Sequence, residues 1–201
     1  MIVRLFIVFV VVLAGFLAAQ VYFIYSARSY IQNVPEGHYF GPSDADLTVV
    51  EFMDYTCNYC QQVHPTIMEA IKKDGNVKYA PYPIMSMNYD GTAASYILYA
   101  AAEMGKFQEA HNYLMENHSN LVRERIPEIA SDLGVEADEL RNNLDSSTVV
   151  NRVKSNHKTM ERLKNFATPT FFIGPNIRYI PKDRMPTVDD FLKMFAEARG
   201  E

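Results

Sequence analysis

Cysteine is scarce in this chain, with only Cys57 and Cys60 among 201 residues. Two cysteines exclude a miniature scaffold held together by several disulfide bonds. Basic residues are also few, since 19 of them face 24 acidic residues, and the net charge of -5 argues against nucleic acid as the main partner. Internal repeats and low-complexity tracts are lacking, while 48% of the residues are hydrophobic. This composition indicates one ordinary globular domain with an appendage.

Charge is missing from most of the N-terminal segment. After Arg4, the 21 residues from Leu5 to Tyr25 carry no charge, and as a helix they would extend about 31 Å, enough to cross the hydrocarbon core of a bilayer. We therefore predict a signal anchor, a transmembrane helix over residues 1–25. The alternative is a signal peptide cleaved near Ala18 or Ala19, although no A-x-A pattern is present there. Either outcome places the rest of the chain outside the cytoplasm, anchored at the periplasmic face of the inner membrane or, after cleavage, secreted.

The remainder divides into a connector and one domain. Residues 26–42 contain closely spaced prolines and glycines, so we predict a tether there. Residues 43–201 are long enough for a single domain.

Apolar periodicity within this domain predicts strands separated by a long helical block. The block covers about residues 92–166 and is expected to be an insertion. The other elements are a strand over Leu47–Met53, a helix from Cys57 to about Lys73, a strand over Asn76–Tyr82, a hairpin of Thr170–Ile173 with Ile177–Ile180, and a final helix after Thr187. This order predicts an α/β or α+β fold, in which helices cover both faces of a mixed sheet.

The pair Cys57-Asn-Tyr-Cys60 is the most informative motif. It stands where the first strand gives way to a helix, and the free N–H groups and dipole at a helix N-terminus favour a thiolate. A spacing of three places both sulfurs on one helical face. A permanent structural disulfide is disfavoured, because closing a four-residue loop stabilises a protein by only roughly 2 kcal/mol. The motif therefore indicates a redox-active pair.

A metal site is the competing interpretation of the same residues. Cys57, Cys60 and His64 lie at i, i+3 and i+7, so a helix would present all three as ligands for copper. A closed zinc site needs a fourth ligand, and the sequence offers no second C-x-x-C or H-x-x-x-H motif. A copper-handling binding protein thus remains the alternative, in which case His64 is a ligand rather than a surface residue.

Two further positions have both a structural and a functional interpretation. Glu51 is the only charged residue in its strand, six residues before Cys57, and alternation alone leaves it equally suited to solvent or to a buried position beside the cysteines. A buried carboxylate there would exchange a proton with Cys60. Thr168-Pro169 opens a strand, where a trans proline at a sheet edge is the ordinary expectation.

Together these elements resemble the DsbA-like thiol–disulfide oxidoreductases of the thioredoxin superfamily. The resemblance extends from about Gly41 to Arg199 and is specific as a combination. It is carried by Gly41-Pro-Ser-Asp-Ala-Asp, by Val49-Val-Glu-Phe-Met-Asp-Tyr-Thr-Cys-Asn-Tyr-Cys60, by Tyr82-Pro-Ile-Met, by the alanine-rich helix from Ala93, and by Ala167-Thr-Pro-Thr-Phe-Phe-Ile-Gly174.

The resemblance implies a role for each matching residue. Cys57 corresponds to the exposed nucleophile, Cys60 to the buried resolving thiol, and Glu51 to the acidic residue beneath the disulfide. Pro169 corresponds to a cis-proline, and the backbone at Thr168 to the segment that pairs with an extended substrate. No cofactor is implied. The expected partners are cysteine-containing exported proteins and a membrane redox partner that the sequence does not identify.

One departure from the family concerns the residues between the cysteines. Asn58-Tyr59 replaces the Pro-His of the strong oxidant, so no imidazolium stabilises the Cys57 thiolate, and we expect a weaker oxidant. Isomerase and reductase activities are the alternatives within the same fold. A client groove is expected around Cys57 and Pro169, with Met85 and Met87 as either groove residues or core filling.

Overall fold

A mixed β-sheet with helices on both faces organises the protein. The computed structural model describes residues 2–164, 167–175, 177–182 and 184–201. The strands are β1 (Leu47–Met53), β2 (Val77–Pro83), β3 (Thr170–Ile173) and β4 (Ile177–Tyr179). The helices are α1 (Ile2–Gln32), α2 (Asn58–Asp74), α3 (Tyr89–Ala102), α4 (Phe107–Glu116), α5 (Ile126–Leu133), α6 (Ala137–Leu144), α7 (Ser147–Arg162) and α8 (Val188–Arg199), and a short 3₁₀ turn over Arg123–Arg125 precedes α5.

Strand β1 lies inside the sheet, whose order is β2-β1-β3-β4. It pairs in parallel with β2 and antiparallel with β3, and β4 pairs antiparallel with β3. One face carries Val49 and Met53, which pack with residues of α2 and α8. The other face carries Val50 and Phe52, which pack against α1 and α7. Because both faces are covered, every residue of β1 except the partly exposed Thr48 is buried.

The predicted fold class is confirmed, since the sheet is mixed and the helices α3 to α7 separate β2 from β3. The helix predicted over Val149–Phe166 begins two residues earlier and ends at Arg162. Its predicted terminal residue, Phe166, lies outside the described residues, as does Asn176 in the predicted hairpin turn.

The segment predicted as a tether differs from that prediction. Helix α1 continues past Tyr25 to Gln32, and its last turns bury Ala27 and Ile31. Apolar residues four apart extend the packed face of the helix beyond the uncharged run, which is why the helix does not stop at the predicted boundary.

The second half of this segment joins the sheet edge. Phe40 exchanges two backbone hydrogen bonds with Tyr79 of β2, with N–O distances of 2.7 and 2.9 Å. The next residue, Gly41, has φ 90° and lies so close to Val77 that a Cβ would approach its carbonyl oxygen to 2.0 Å. Only glycine fits this left-handed, crowded position. Residues 26–42 are therefore packed on the domain over much of their length.

A buried polar cluster fixes the end of α1 to the domain. The Tyr30 hydroxyl donates to Oδ1 of Asn156 at 2.7 Å, and Nδ2 of Asn156 donates to the Pro83 carbonyl at 2.9 Å and to the Tyr99 hydroxyl at 2.8 Å. The Arg152 guanidinium lies 4.9 Å from the centre of the Tyr30 ring. These contacts join α1, α3, α7 and the end of β2 into one unit.

Asn156→Ala is expected to lower the free energy of unfolding by roughly 2 to 4 kcal/mol, because it leaves buried partners of three hydrogen bonds unsatisfied. Asn151→Ala, at an exposed position of the same helix, is the matched control and should change stability by less than about 0.5 kcal/mol. Urea unfolding of the full chain in detergent micelles, followed by circular dichroism, measures both. Equal losses in the two variants would contradict the importance of this cluster.

Candidate active site

The turn after β1 delivers Cys57 to the start of α2. The carboxylate of Asp54 accepts hydrogen bonds from the Thr56 N–H at 2.9 Å and the Thr56 hydroxyl at 2.8 Å, and the Asp54 carbonyl accepts one from the Cys57 N–H at 3.0 Å. Cys57 then occupies the N-cap position of α2 with extended backbone angles, φ -83° and ψ 115°. The predicted location of the motif, between a strand and a helix N-terminus, is confirmed.

The two sulfurs have opposite environments. Cys57 is partly exposed and Cys60 is buried, and both are free thiols. The hydrogen bond from Cys60 is the main cause that lowers the pKa of Cys57 to about 5, with help from the Thr168 side chain and the N–H groups of Cys60 and Tyr59 and against the effect of burial. Burial foremost raises the pKa of Cys60. The pair therefore contains one stable thiolate and one thiol that holds its proton.

Glu51 is buried, and its side chain points toward α2 because it alternates with Val50 and Phe52 of the opposite face. The Tyr79 hydroxyl donates a short hydrogen bond to its Oε2 atom. Burial raises the pKa of Glu51 to about 8, the hydrogen bond from Tyr79 lowers it, and the nearby Cys57 raises it further. The carboxyl group consequently carries a proton at neutral pH.

The loop before β3 forms the opposite wall of the site. β3 starts at Thr170, which faces Phe52 near the end of β1, so residues 168 and 169 extend past the strand beside Cys57. The Thr168 carbonyl oxygen lies 3.5 Å from the Cys57 sulfur. The Thr168–Pro169 peptide bond is cis, as the resemblance implies and unlike the trans bond expected from the residues alone.

His64 does not join the cysteines. Burial lowers its pKa to about 4, and its ring packs against that of His111, with centroids 5.0 Å apart. Within the described parts of the chain, no three His, Cys, Asp or Glu side chains are grouped so that they could hold a metal ion. The geometry thus offers no support for the copper-binding alternative.

The family model described as thioredoxin matches residues 33–194 of the chain. This protein belongs to the thioredoxin family. Among solved structures, the thiol-disulfide exchange protein alpha-DsbA2 from Wolbachia pipientis superposes with a TM-score of 0.70, over 87% of this chain and 96% of that one, at 17% identity. The DsbA-like resemblance of the sequence is confirmed.

Two curated proteins of different kinds are similar in sequence to this thioredoxin-family chain. Disulfide bond formation protein D of Bacillus subtilis is 28% identical over 152 residues, which cover 68% of this chain and 67% of that protein. The Na(+)/H(+) antiporter NhaA 3 of Salinispora tropica is 27% identical over 164 residues, covering 81% of this chain and 25% of the antiporter. The chain therefore spans about a quarter of that relative's length.

The sequence did not identify two tyrosines, Tyr79 and Tyr55, as part of this thioredoxin-family site. Tyr79 bonds to Glu51, and the Tyr55 hydroxyl lies 2.8 Å from Nδ1 of His111. Tyr79 and Tyr55 are fully buried, and a buried tyrosine hydroxyl requires a hydrogen-bond partner. For Glu51 the signal in the sequence was therefore a tyrosine in one strand and a lone acid in another, but the pairing spans 28 residues and needed the sheet register.

Few of the large apolar side chains that the structure describes are exposed outside α1. Beyond α1, the large hydrophobic residues exposed in the described part of the chain are Tyr59, Met87 and Tyr89. Tyr59 lies between the cysteines, while Met87 and Tyr89 belong to the loop and first turn that lead into α3. Met85 packs partly against the core, as core filling would, whereas Met87 is exposed.

The rate of alkylation at Cys57 is expected to rise with a midpoint near pH 5, because only the thiolate reacts. At pH 7 about 99% of the side chain would be ionised, against about 1% for an ordinary thiol with a pKa near 9. Iodoacetamide labelling from pH 3 to 9, quantified by peptide mass spectrometry, measures this midpoint. Cys60→Ala should move it upward by removing the main hydrogen bond, whereas the exposed neighbour variant Asn58→Ala should not. A wild-type midpoint above pH 8 would refute the assignment.

Proposed function

We propose that this protein is a membrane-tethered, extracytoplasmic thiol–disulfide oxidoreductase that exchanges disulfides with exported proteins through Cys57 and Cys60. The observation that carries this proposal is the pairing of an exposed, stabilised thiolate with a buried thiol that retains its proton. The names of two relatives, a disulfide bond formation protein and a thiol-disulfide exchange protein, support it.

The exchange begins from the Cys57–Cys60 disulfide. A client thiolate attacks the Cys57 sulfur, a client–Cys57 bond forms, and the Cys57–Cys60 bond breaks with its electron pair left on Cys60. A second client thiolate then attacks the client sulfur of this mixed disulfide and releases Cys57 as its stable thiolate. The client leaves oxidised and the enzyme reduced, and a disulfide of a membrane redox partner restores the starting state.

Glu51 manages the proton of the buried sulfur. The departing Cys60 thiolate lies in surroundings that disfavour its charge, because burial raises its pKa. Glu51 is protonated up to about pH 8 and interacts electrostatically with Cys60. It supplies the proton when Cys60 leaves and accepts it when Cys60 attacks, while Tyr79 holds the carboxyl group in place.

An unfolded client fits the surface around Cys57. The backbone at Thr168 lies beside the reactive sulfur and pairs with an extended client segment by strand addition. Tyr59, between the two cysteines, offers an exposed apolar contact, and such a contact suits the varied apolar residues that unfolded chains display.

The tether in this proposal is α1. By length and composition, its residues Phe6–Gln32 are able to cross a membrane. From Phe6 to Tyr25 its large hydrophobic side chains are exposed, and only its last turns are buried on the domain. An unpartnered apolar helix of this length is stable in lipid and unfavourable in water.

The redox potential of the Cys57–Cys60 pair tests whether the protein acts as an oxidant of its clients. A Cys57 pKa of about 5, against about 3.5 for the strong oxidant DsbA, corresponds to roughly 45 mV at about 30 mV per tenfold. We therefore expect a potential near about -165 mV, below the -120 mV or so of that oxidant. Equilibration with glutathione buffers, read by maleimide gel shift, measures it. A value at or above about -120 mV would contradict the expected weaker oxidant, and one near about -270 mV would indicate reductase duty.

A further inference from the structure

A pocket of about 360 Å³ lies between α1 and the thioredoxin-like domain. Its α1 side includes Ile24, Arg28 and Ile31, and its domain side comes from the end of α7 and from β3 and β4. The pocket is separate from the cysteines, and the proposed exchange chemistry makes no use of it.

The rim of this pocket is basic. Arg28, Arg162, Lys164 and Arg178 line it and come from three different parts of the chain, and no described lining residue is acidic. Arg28, Arg162 and Lys164 form no ion pair with a described carboxylate. Even without Arg178, these three cations around one pocket create a positive potential that favours an anion.

The walls of the pocket are apolar. Ile24, Leu163, Phe172 and Ile177 contribute to its lining, and the Arg178 guanidinium lies 6.0 Å from the centre of the Phe172 ring. A small inorganic anion would gain nothing from these side chains. A ligand with an anionic group and attached hydrocarbon would use both the rim and the walls.

The position of the pocket along α1 shows its depth relative to the proposed membrane. Arg28 is the first charged residue after the uncharged run of α1, so it marks the level at which the helix leaves the hydrocarbon core. The Arg162 guanidinium lies 5.6 Å from the centre of the Phe23 ring, about one and a half turns toward the membrane. The basic rim therefore lies at the depth of the lipid headgroups.

We propose that this pocket binds an anionic phospholipid, with its phosphate among Arg28, Arg162 and Lys164 and its acyl chains along α1. The inference rests on the proposed membrane tether. Basic pockets beside membrane helices bind acidic headgroups by this chemistry. The bound lipid holds the domain in a fixed position above the bilayer, because it contacts both α1 and the sheet.

Native mass spectrometry of the full-length protein tests the site. The protein is extracted from vesicles containing equal amounts of phosphatidylglycerol and phosphatidylcholine with identical acyl chains, and the retained lipids are counted. We expect one phosphatidylglycerol per wild-type chain. Retention should fall roughly tenfold or more in Arg162→Gln/Lys164→Gln, because each cation near a membrane surface contributes to the attraction. Lys72→Gln/Lys193→Gln removes two exposed charges elsewhere and should retain the lipid.

Each contrary result has a distinct meaning. Equal retention of both lipids, or equal loss in the pocket and control variants, would overturn the lipid site. Displacement by millimolar glycerol phosphate would show a site for the free anion and would also overturn the lipid assignment. The intact mass reports the tether separately. A chain cleaved near Ala18 or Ala19 would overturn the tether and the site together, whereas an intact chain in the membrane fraction without lipid preference would overturn the site alone.

Discussion

Cys57→Ser is expected to abolish thiol–disulfide exchange completely, because a hydroxyl with its high pKa cannot replace the thiolate that the site stabilises. The assay is the oxidation of a reduced, unfolded client by the oxidised protein, with turnover maintained by a glutathione buffer. Asn58→Ala is the matched control, since it alters an exposed residue between the cysteines and should retain most of the activity.

Cys60→Ala should fail in a different way. Its Cys57 thiolate still forms a mixed disulfide with a client that carries a disulfide, but no second thiol resolves the intermediate. Clients should therefore accumulate in covalent complexes with Cys57, visible as bands that disappear on reduction and identifiable by mass spectrometry. The double variant Cys57→Ser/Cys60→Ala should capture none. An empty trap in cells grown under oxidising conditions would leave the proposed function without support.

Glu51→Gln is expected to stabilise the reduced protein and to slow exchange. In the folded protein the pKa of Glu51 is about 8, against 4.5 as its ordinary value. Between these pH values the folded protein keeps the proton that the unfolded chain has released, so this group lowers the free energy of unfolding as pH rises. Removing the carboxyl group should gain about 3 kcal/mol at pH 7, since one pKa unit corresponds to about 1.4 kcal/mol.

The pKa shift of Cys57 changes the free energy of unfolding in the opposite direction. Its pKa is about 5 in the folded protein and near 9 in the unfolded chain, so its contribution to stability grows as pH rises from 5 to 9. Because the two groups interact, the informative quantity is the difference between Glu51→Gln and wild type. That difference should be near zero at pH 4.5 and complete near pH 8. Urea unfolding of the reduced proteins at several pH values measures it.

The kinetic effect of the same variant separates a proton-transfer role from a purely structural one. Without the carboxyl group, release and attack of the Cys60 sulfur should slow by roughly tenfold to 100-fold, while the alkylation midpoint of Cys57 shifts little. Stopped-flow measurement of mixed-disulfide decay reports this step. Glu103→Gln, the same substitution at an exposed position, should leave both stability and rate unchanged. An unchanged decay rate in Glu51→Gln would remove the residue from the proposed mechanism.

Local signals in the sequence were sufficient for much of the fold. The apolar run of β1, the C-x-x-C motif directly after it and the helical periodicity of α2 are properties of neighbouring residues, and each predicted element is present. The mixed sheet with an interrupting helical block followed from the order of these elements. The end of α1 did not, because its last turns fold against residues of α7 more than 120 positions later.

The role of Glu51 shows the limit of periodicity. Alternation places it on one face of a strand, but only the packing of helices on both faces made that position buried and adjacent to Cys60. The register between β1 and β2 brings Tyr79 within hydrogen-bond distance of Glu51. The electrostatics of the carboxyl group therefore depend on tertiary contacts that no local pattern contains.

By itself the sequence determined the reactive pair, the strand and helix that present it, and a membrane-length apolar run, because each is set by residues within a few turns of one another. Tertiary structure alone decided what lies across from the sulfur and where the positive charges gather. Thr168 reaches Cys57 across 111 residues, and Arg28 shares a pocket with Arg178 across 150. Such distances in the chain are closed only by the sheet and its helices, since burial of apolar surface, not local preference, brings those segments together.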